Sequence, residues 1–110
     1  MTLIAYHVRK RPSHIGGLGE VKLPLPVKSR VLQEMLPELG EHDACYRLDE
    51  KGFPKSVMEI RFYDDYIKLE CNMGPMSWEI LQRFLNAPEW VLIDLDEGEL
   101  WTGPTRQRTC

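Results

Sequence analysis

Ser56-Val57-Met58-Glu59-Ile60-Arg61-Phe62-Tyr63-Asp64-Asp65-Tyr66-Ile67-Lys68-Leu69-Glu70-Cys71-Asn72 alternates apolar and polar residues with period two on either side of Asp64-Asp65. Strict alternation over this length marks half-buried strands. Aspartate tolerates the positive φ of a two-residue hairpin turn, so the two halves fold back on each other at Asp64-Asp65. Tyr63 then faces Tyr66, Phe62 faces Ile67, Ile60 faces Leu69 and Met58 faces Cys71, which gathers Met58, Ile60, Phe62, Ile67, Leu69 and Cys71 on one side. A slip of one residue would turn one strand's apolar set outward, so the pattern fixes its own register. The other side carries Glu59, Arg61, Tyr63, Tyr66, Lys68 and Glu70. There Glu59 opposes Glu70 and Arg61 opposes Lys68, while the diagonals Glu59–Lys68 and Arg61–Glu70 are of opposite sign. That side is expected to be wet or used for binding.

Downstream, Gly74-Pro75 opens a helix whose apolar residues are Trp78, Ile80, Leu81, Phe84 and Leu85, and Asn86-Ala87-Pro88 ends it. Trp90–Leu95 is a near-continuous apolar run, the pattern of a central strand. Glu97-Gly98 closes a second predicted hairpin. It pairs Leu95 with Leu100, Asp94 with Trp101 and Ile93 with Thr102. The chain then ends in a frayed basic tail over 103–110. Upstream, Ala44–Leu48 is a short strand and Asp49-Glu50-Lys51-Gly52 a turn. Val27–Leu36 is a helix with Val27, Val31, Leu32, Met35 and Leu36 at helical spacing. Residues 9–26 form a loop rich in Gly and Pro, and Thr2–Val8 is a strand. The expected fold is α+β, a single domain over 1–110. It has a mostly antiparallel sheet of about six strands, with two helices packed on one face, in the order β-α-β-β-β-α-β-β.

The 110 residues carry a net charge of −3, unevenly spread. Residues 1–30 hold six basic residues against Glu20, and residues 31–102 hold 6 basic against 16 acidic. Arg106 and Arg108 add positive charge to the tail. An acidic middle disfavours nucleic acid and favours basic partners, chiefly through steering. No apolar run approaches the roughly 20 residues of a membrane span. Met1–Arg11 carries its charges after its apolar residues and lacks a small-residue cleavage site, unlike a signal peptide. A cytoplasmic protein without membrane contact is expected. Cys45, Cys71 and Cys110 are odd in number and not spaced as a disulfide framework.

Few motifs carry chemistry. Gly16-Gly17-Leu18-Gly19 lacks the Lys-Ser/Thr of a phosphate loop and the spacing of a dinucleotide fingerprint. His42, Asp43 and Cys45 are close in sequence, but no second cluster completes a tetrahedral set. The acidic run Asp94–Glu99 would place Gly98 fifth and Thr105 twelfth in a calcium loop, where Gly sixth and Glu twelfth are needed. His7 and His14 have no nucleophile at a telling spacing, and Arg9-Lys10-Arg11 is expected to be solvated. No catalytic residue, cofactor or metal is assigned. Aromatics amid charge are over-represented at interface hot spots. Tyr63, Asp64, Asp65, Tyr66, Asp94, Asp96, Glu97, Glu99 and Trp101 are therefore the expected contacts for a protein partner with a basic surface.

The expected function is non-enzymatic: an immunity protein whose acidic loops and exposed aromatics cover the basic cleft of a bacterial toxin. From Val27 onward, helix, three strands, helix and two strands are similar in order to the type III secretion chaperones. That resemblance implies an acidic dimer. Those proteins begin with the helix and close with another, whereas this chain has a strand and a Gly-rich loop in front and no final helix. A phage-encoded inhibitor of a host defence complex, its carboxylates standing in for phosphates, is a further alternative. A small-ligand binder or enzyme using Gly16–Gly19 and His14 ranks last.

Overall fold

A computed structural model describes residues 1–42, 45–53, 55–72, 74–101 and 108–109. Of His42, Arg108 and Thr109 it describes the backbone alone. The chain opens with β1 (Thr2–His7), a 3-10 turn at Ile15–Gly17, α1 (Leu18–Val21) and α2 (Lys28–Met35). Then come β2 (Gly40–His42), β3 (Cys45–Leu48), β4 (Met58–Phe62), β5 (Ile67–Cys71) and α3 (Pro75–Asn86). It closes with β6 (Trp90–Asp94), β7 (Glu99–Trp101) and β8 (Arg108–Thr109). The strands form one antiparallel sheet in the order β2-β3-β4-β5-β1-β6-β7-β8, so the fold is α+β.

The β4–β5 hairpin has the register that its alternation dictates, with Met58 opposite Cys71, Ile60 opposite Leu69 and Phe62 opposite Ile67. The Tyr63 amide donates to the Tyr66 carbonyl at 2.9 Å, which closes the turn at Asp64-Asp65. Met58, Ile60, Ile67 and Leu69 are completely buried. Val31 and Met35 of α2 and Ile80, Leu81, Phe84 and Leu85 of α3 pack over them, so both longer helices cover one face. On the open face, Lys68 pairs with Glu70 of its own strand at 3.3 Å. Thr2 also donates its hydroxyl to Glu70. These contacts, rather than the cross-strand diagonals, offset the like charges.

β1 lies between β5 and β6, with Leu3 opposite Leu69 on one side and Asp94 on the other. The opposite face has its own smaller core of Val8, Val21, Val91, Ile93 and Leu100, covered in part by Leu18 and Tyr6. Residues 9–26 are thus not simply a loop. The Arg9 amide donates to Val21 O and the Leu23 amide to His7 O, tying α1 back to the end of β1. A one-turn helix leaves no periodic signature, so pattern reading passes over it. Three-residue β2 and two-residue β8 are missed for the same reason. β8 pairs Arg108 with Trp101 and Thr109 with Leu100, within the stretch assigned to the tail.

Arg11 departs from its expected solvation. Its Nη2 donates to the carbonyls of Leu85 (2.6 Å), Ala87 (2.8 Å) and Phe84 (3.1 Å), and its Nε to Trp90 O (2.9 Å). The last carbonyls of a helix have no partners within it, and a guanidinium is well suited to serve several. Burial pulls the Arg11 pKa below its ordinary value.

Candidate functional site

The expected contact residues fall into two groups. At the β4–β5 tip, Tyr63 is exposed and stacks on Tyr66, with centroids 4.8 Å apart and planes at 17°. Tyr66 lies 5.8 Å from Tyr6. The Lys22 ammonium reaches 2.8 Å from Asp65 Oδ2 and sits 5.5 Å from the centre of the Tyr6 ring. Burial, and then the Asp65 carboxylate, raise the Tyr6 pKa. The hydrogen bond that Lys22 donates to Asp65 raises the Lys22 pKa. Asp65 is therefore engaged within the fold, whereas Asp64 is exposed.

At the β6–β7 tip, two of the expected contacts are corrected. Asp94 is 2% exposed and Trp101 is fully buried, so neither lies on a wet face. Asp94 Oδ1 accepts the Asp96 amide at 3.0 Å and the Glu97 amide at 3.3 Å, and the Asp94 carbonyl accepts the Gly98 amide at 2.8 Å. Gly98 takes φ +66, which glycine adopts without strain. Leu95 leaves the strand, its amide donating to Thr2 O, so the loop spans four residues rather than two. Asp94 therefore pairs with Glu99 and Leu92 with Trp101, two residues away from the expected register. The shift is even, so faces are preserved. The face holding Asp94 and Trp101 is the one beneath the longer helices, and Trp78 of α3 meets Trp101 edge-on at 6.3 Å. Asp96 and Glu97 remain exposed and Glu99 is half-buried.

The two tips stand at opposite ends of the sheet. Tyr66 adjoins the end of β1 at Ala5–Tyr6, while the loop after Asp94 adjoins Thr2. At the Thr2 end a groove of about 660 Å³ opens between the start of α3 and the ends of β1 and β5. Its walls include Met1, Phe53, Trp78, Leu81, Cys71 and Gly74. Met1, Phe53 and Trp78 are each more than 40% exposed. The periodicity of α3 places Trp78 on its apolar face, but Trp78 sits at that face's edge and reaches solvent. Burial pushes the Cys71 thiol up to about 12. Gly74 has φ +124, which calls for glycine, and a Cβ there would lie 2.5 Å from Glu50 Oε2, the movable end of a long side chain. Asp96 Oδ2 accepts the Thr2 amide at 3.0 Å, which brings the acidic tip beside Met1. A second cleft of about 550 Å³ shares Phe53 and Asn72 with the first and is lined by Arg47, Asp49, Lys55, Ser56 and Glu59.

Among the described residues neither cleft has a histidine in its walls. His7 Nδ1 lies 3.0 Å from Pro24 O and its ring 5.1 Å from Trp90, and His14 is exposed. The side chain of His42 and all of Asp43 lie outside the described residues. Among the described residues no group of three or more His, Cys, Asp or Glu is placed to hold a metal ion. No helix among them is long and apolar enough to cross a membrane. The sequence matches no protein-family model and no curated protein.

Proposed function

We propose that this protein is a non-enzymatic binding protein that neutralises a protein partner by occlusion, in the manner of an immunity protein against a bacterial toxin. The observation that carries the reading is the meeting of acid and apolar surface at one end of the sheet. Asp96 is bonded to Thr2, next to Met1, and Met1, Phe53 and Trp78 wall one groove. Scattered apolar residues are ordinary on a surface, whereas a contiguous patch rimmed by polar groups marks an interaction site. Carboxylates on exposed tips steer a basic partner, and apolar and aromatic side chains supply the contact that persists. Asp96 and Glu97 stay as contacts at this end, and Phe53 and Trp78 take the place of Asp94 and Trp101.

The test is neutralisation of the product of the adjacent gene. Co-expression with this chain should restore growth that the neighbour alone suppresses. The purified pair should form a 1:1 complex that weakens as salt rises. Joint Asp96→Asn and Glu97→Gln substitution should slow association several-fold. A neighbour without toxicity, or a complex indifferent to salt and to these substitutions, would refute the reading.

A further inference from the structure

Deepening the reading above, on which it rests, we propose that the groove walled by Phe53, Trp78 and Leu81 receives a segment of the protein partner that inserts apolar side chains and carries lysine or arginine beside them. The volume of about 660 Å³ lies within the roughly 300–1,000 Å³ typical of built binding sites. The apolar part of the ligand follows from the walls. The basic part follows from the charges around them. Glu50 lies against Gly74, Glu79 follows Trp78 on the exposed side of α3, and Asp96 stands beside Met1.

Other occupants fit less well. An anionic lipid surface or a nucleic acid would be repelled by the same carboxylates. A second copy joined through a two-fold axis would set this acidic rim against itself. The neighbouring cleft, sharing Phe53 and Asn72, offers both charges through Arg47 and Asp49 and continues the path for the polar flank of the segment.

The experiment uses two fluorescein-labelled amphipathic peptides, one of leucine and lysine and one of leucine and glutamate, titrated with the full chain. Anisotropy reports binding. Tryptophan emission reports the groove, because Trp90 and Trp101 are buried and Trp78 is exposed. The Leu/Lys peptide should bind and shift the emission to the blue. Trp78→Ala and Phe53→Ala should each weaken it about tenfold, or about 1.4 kcal/mol. Glu79→Gln should weaken it at low salt only. The Leu/Glu peptide should not bind. Equal binding of both peptides, or unchanged binding by the Trp78→Ala and Phe53→Ala variants at an unaltered urea midpoint, would overturn the proposal. So would a wild-type dimer in sedimentation that Trp78→Ala converts to a monomer. If wild type and Trp78→Ala neutralise the adjacent gene's product equally, the groove proposal falls and occlusion stands. If the groove selects the Leu/Lys peptide and that product is not bound, the groove proposal stands and the immunity reading falls.

Discussion

Asp94 is a carboxylate that the fold uses for itself. It is 2% exposed, and its Oδ1 accepts the Asp96 and Glu97 amides. Removing the acceptor leaves two peptide N–H groups unsatisfied at the base of the turn. Asp94→Ala is therefore expected to cost about 1–3 kcal/mol in urea unfolding, with the m-value unchanged. Asp96→Asn and Glu97→Gln should leave stability within about 0.5 kcal/mol, since both residues are exposed and an amide oxygen still accepts from Thr2. Equal costs for all three would mean that the tip is structural throughout, with no residue spared for a partner. In sequence, Asp94 and Asp96 look alike. What separates them is which one caps the turn, and that is decided by β1, whose Thr2 draws away the Leu95 amide. Arg11 was unreadable for the same reason, since its four carbonyl acceptors lie 73 to 79 residues away.

An ion pair ties the connection after α2 to α3. Arg83 Nη1 donates to Met35 O at 3.1 Å and to Glu38 Oε1 at 2.6 Å, and Nη2 also meets Glu38. The hydrogen bond from Arg83 holds the Glu38 carboxyl below its ordinary value. The unfolded chain therefore takes up the proton first as pH falls. The contribution of the pair is whole at neutral pH and lost as pH drops below the usual glutamate range and through the lowered folded value. Wild type should lose stability more steeply over that acid range than Arg83→Met, and urea midpoints across a pH series would show it. Parallel curves would mean that the pair contributes nothing to folding. Elements of this length were the legible part of the chain. The β4–β5 register, α2, α3 and the all-buried β6 follow from periodicity, because five to twelve residues repeat one pattern against one environment. The one-turn α1, β2 and β8 escape because their few residues repeat no pattern of their own and are set by what they dock on. The groove escapes because Met1, Phe53 and Trp78 are distant in sequence and meet only when β1 enters the sheet.

At the scale of the whole molecule, the separation of the two acidic tips makes them unequal toward one partner. β1 rises about 3.4 Å per residue, so the step from Tyr6 to Thr2 alone sets the tips about 14 Å apart. The Debye length is about 8 Å at physiological salt and about 30 Å at 0.01 M. A partner seated on the Met1–Trp78 end therefore feels Asp64 through screened space at physiological salt and through almost unscreened space at low salt. Asp65 is largely compensated by Lys22 at either salt. Asp64→Asn should slow association measurably at 0.01 M and leave it unchanged at physiological ionic strength. Asp96→Asn should slow it at both, and dissociation should respond to Trp78→Ala more than to either charge, since buried anchors govern off-rates. Stopped-flow association at the two salt concentrations separates these terms. If Asp64→Asn and Asp96→Asn slow association equally at physiological salt, the partner spans the sheet from end to end. The Tyr63–Tyr66 stack would then share the contact with the groove, and an occlusion surface confined to one end would have to be abandoned.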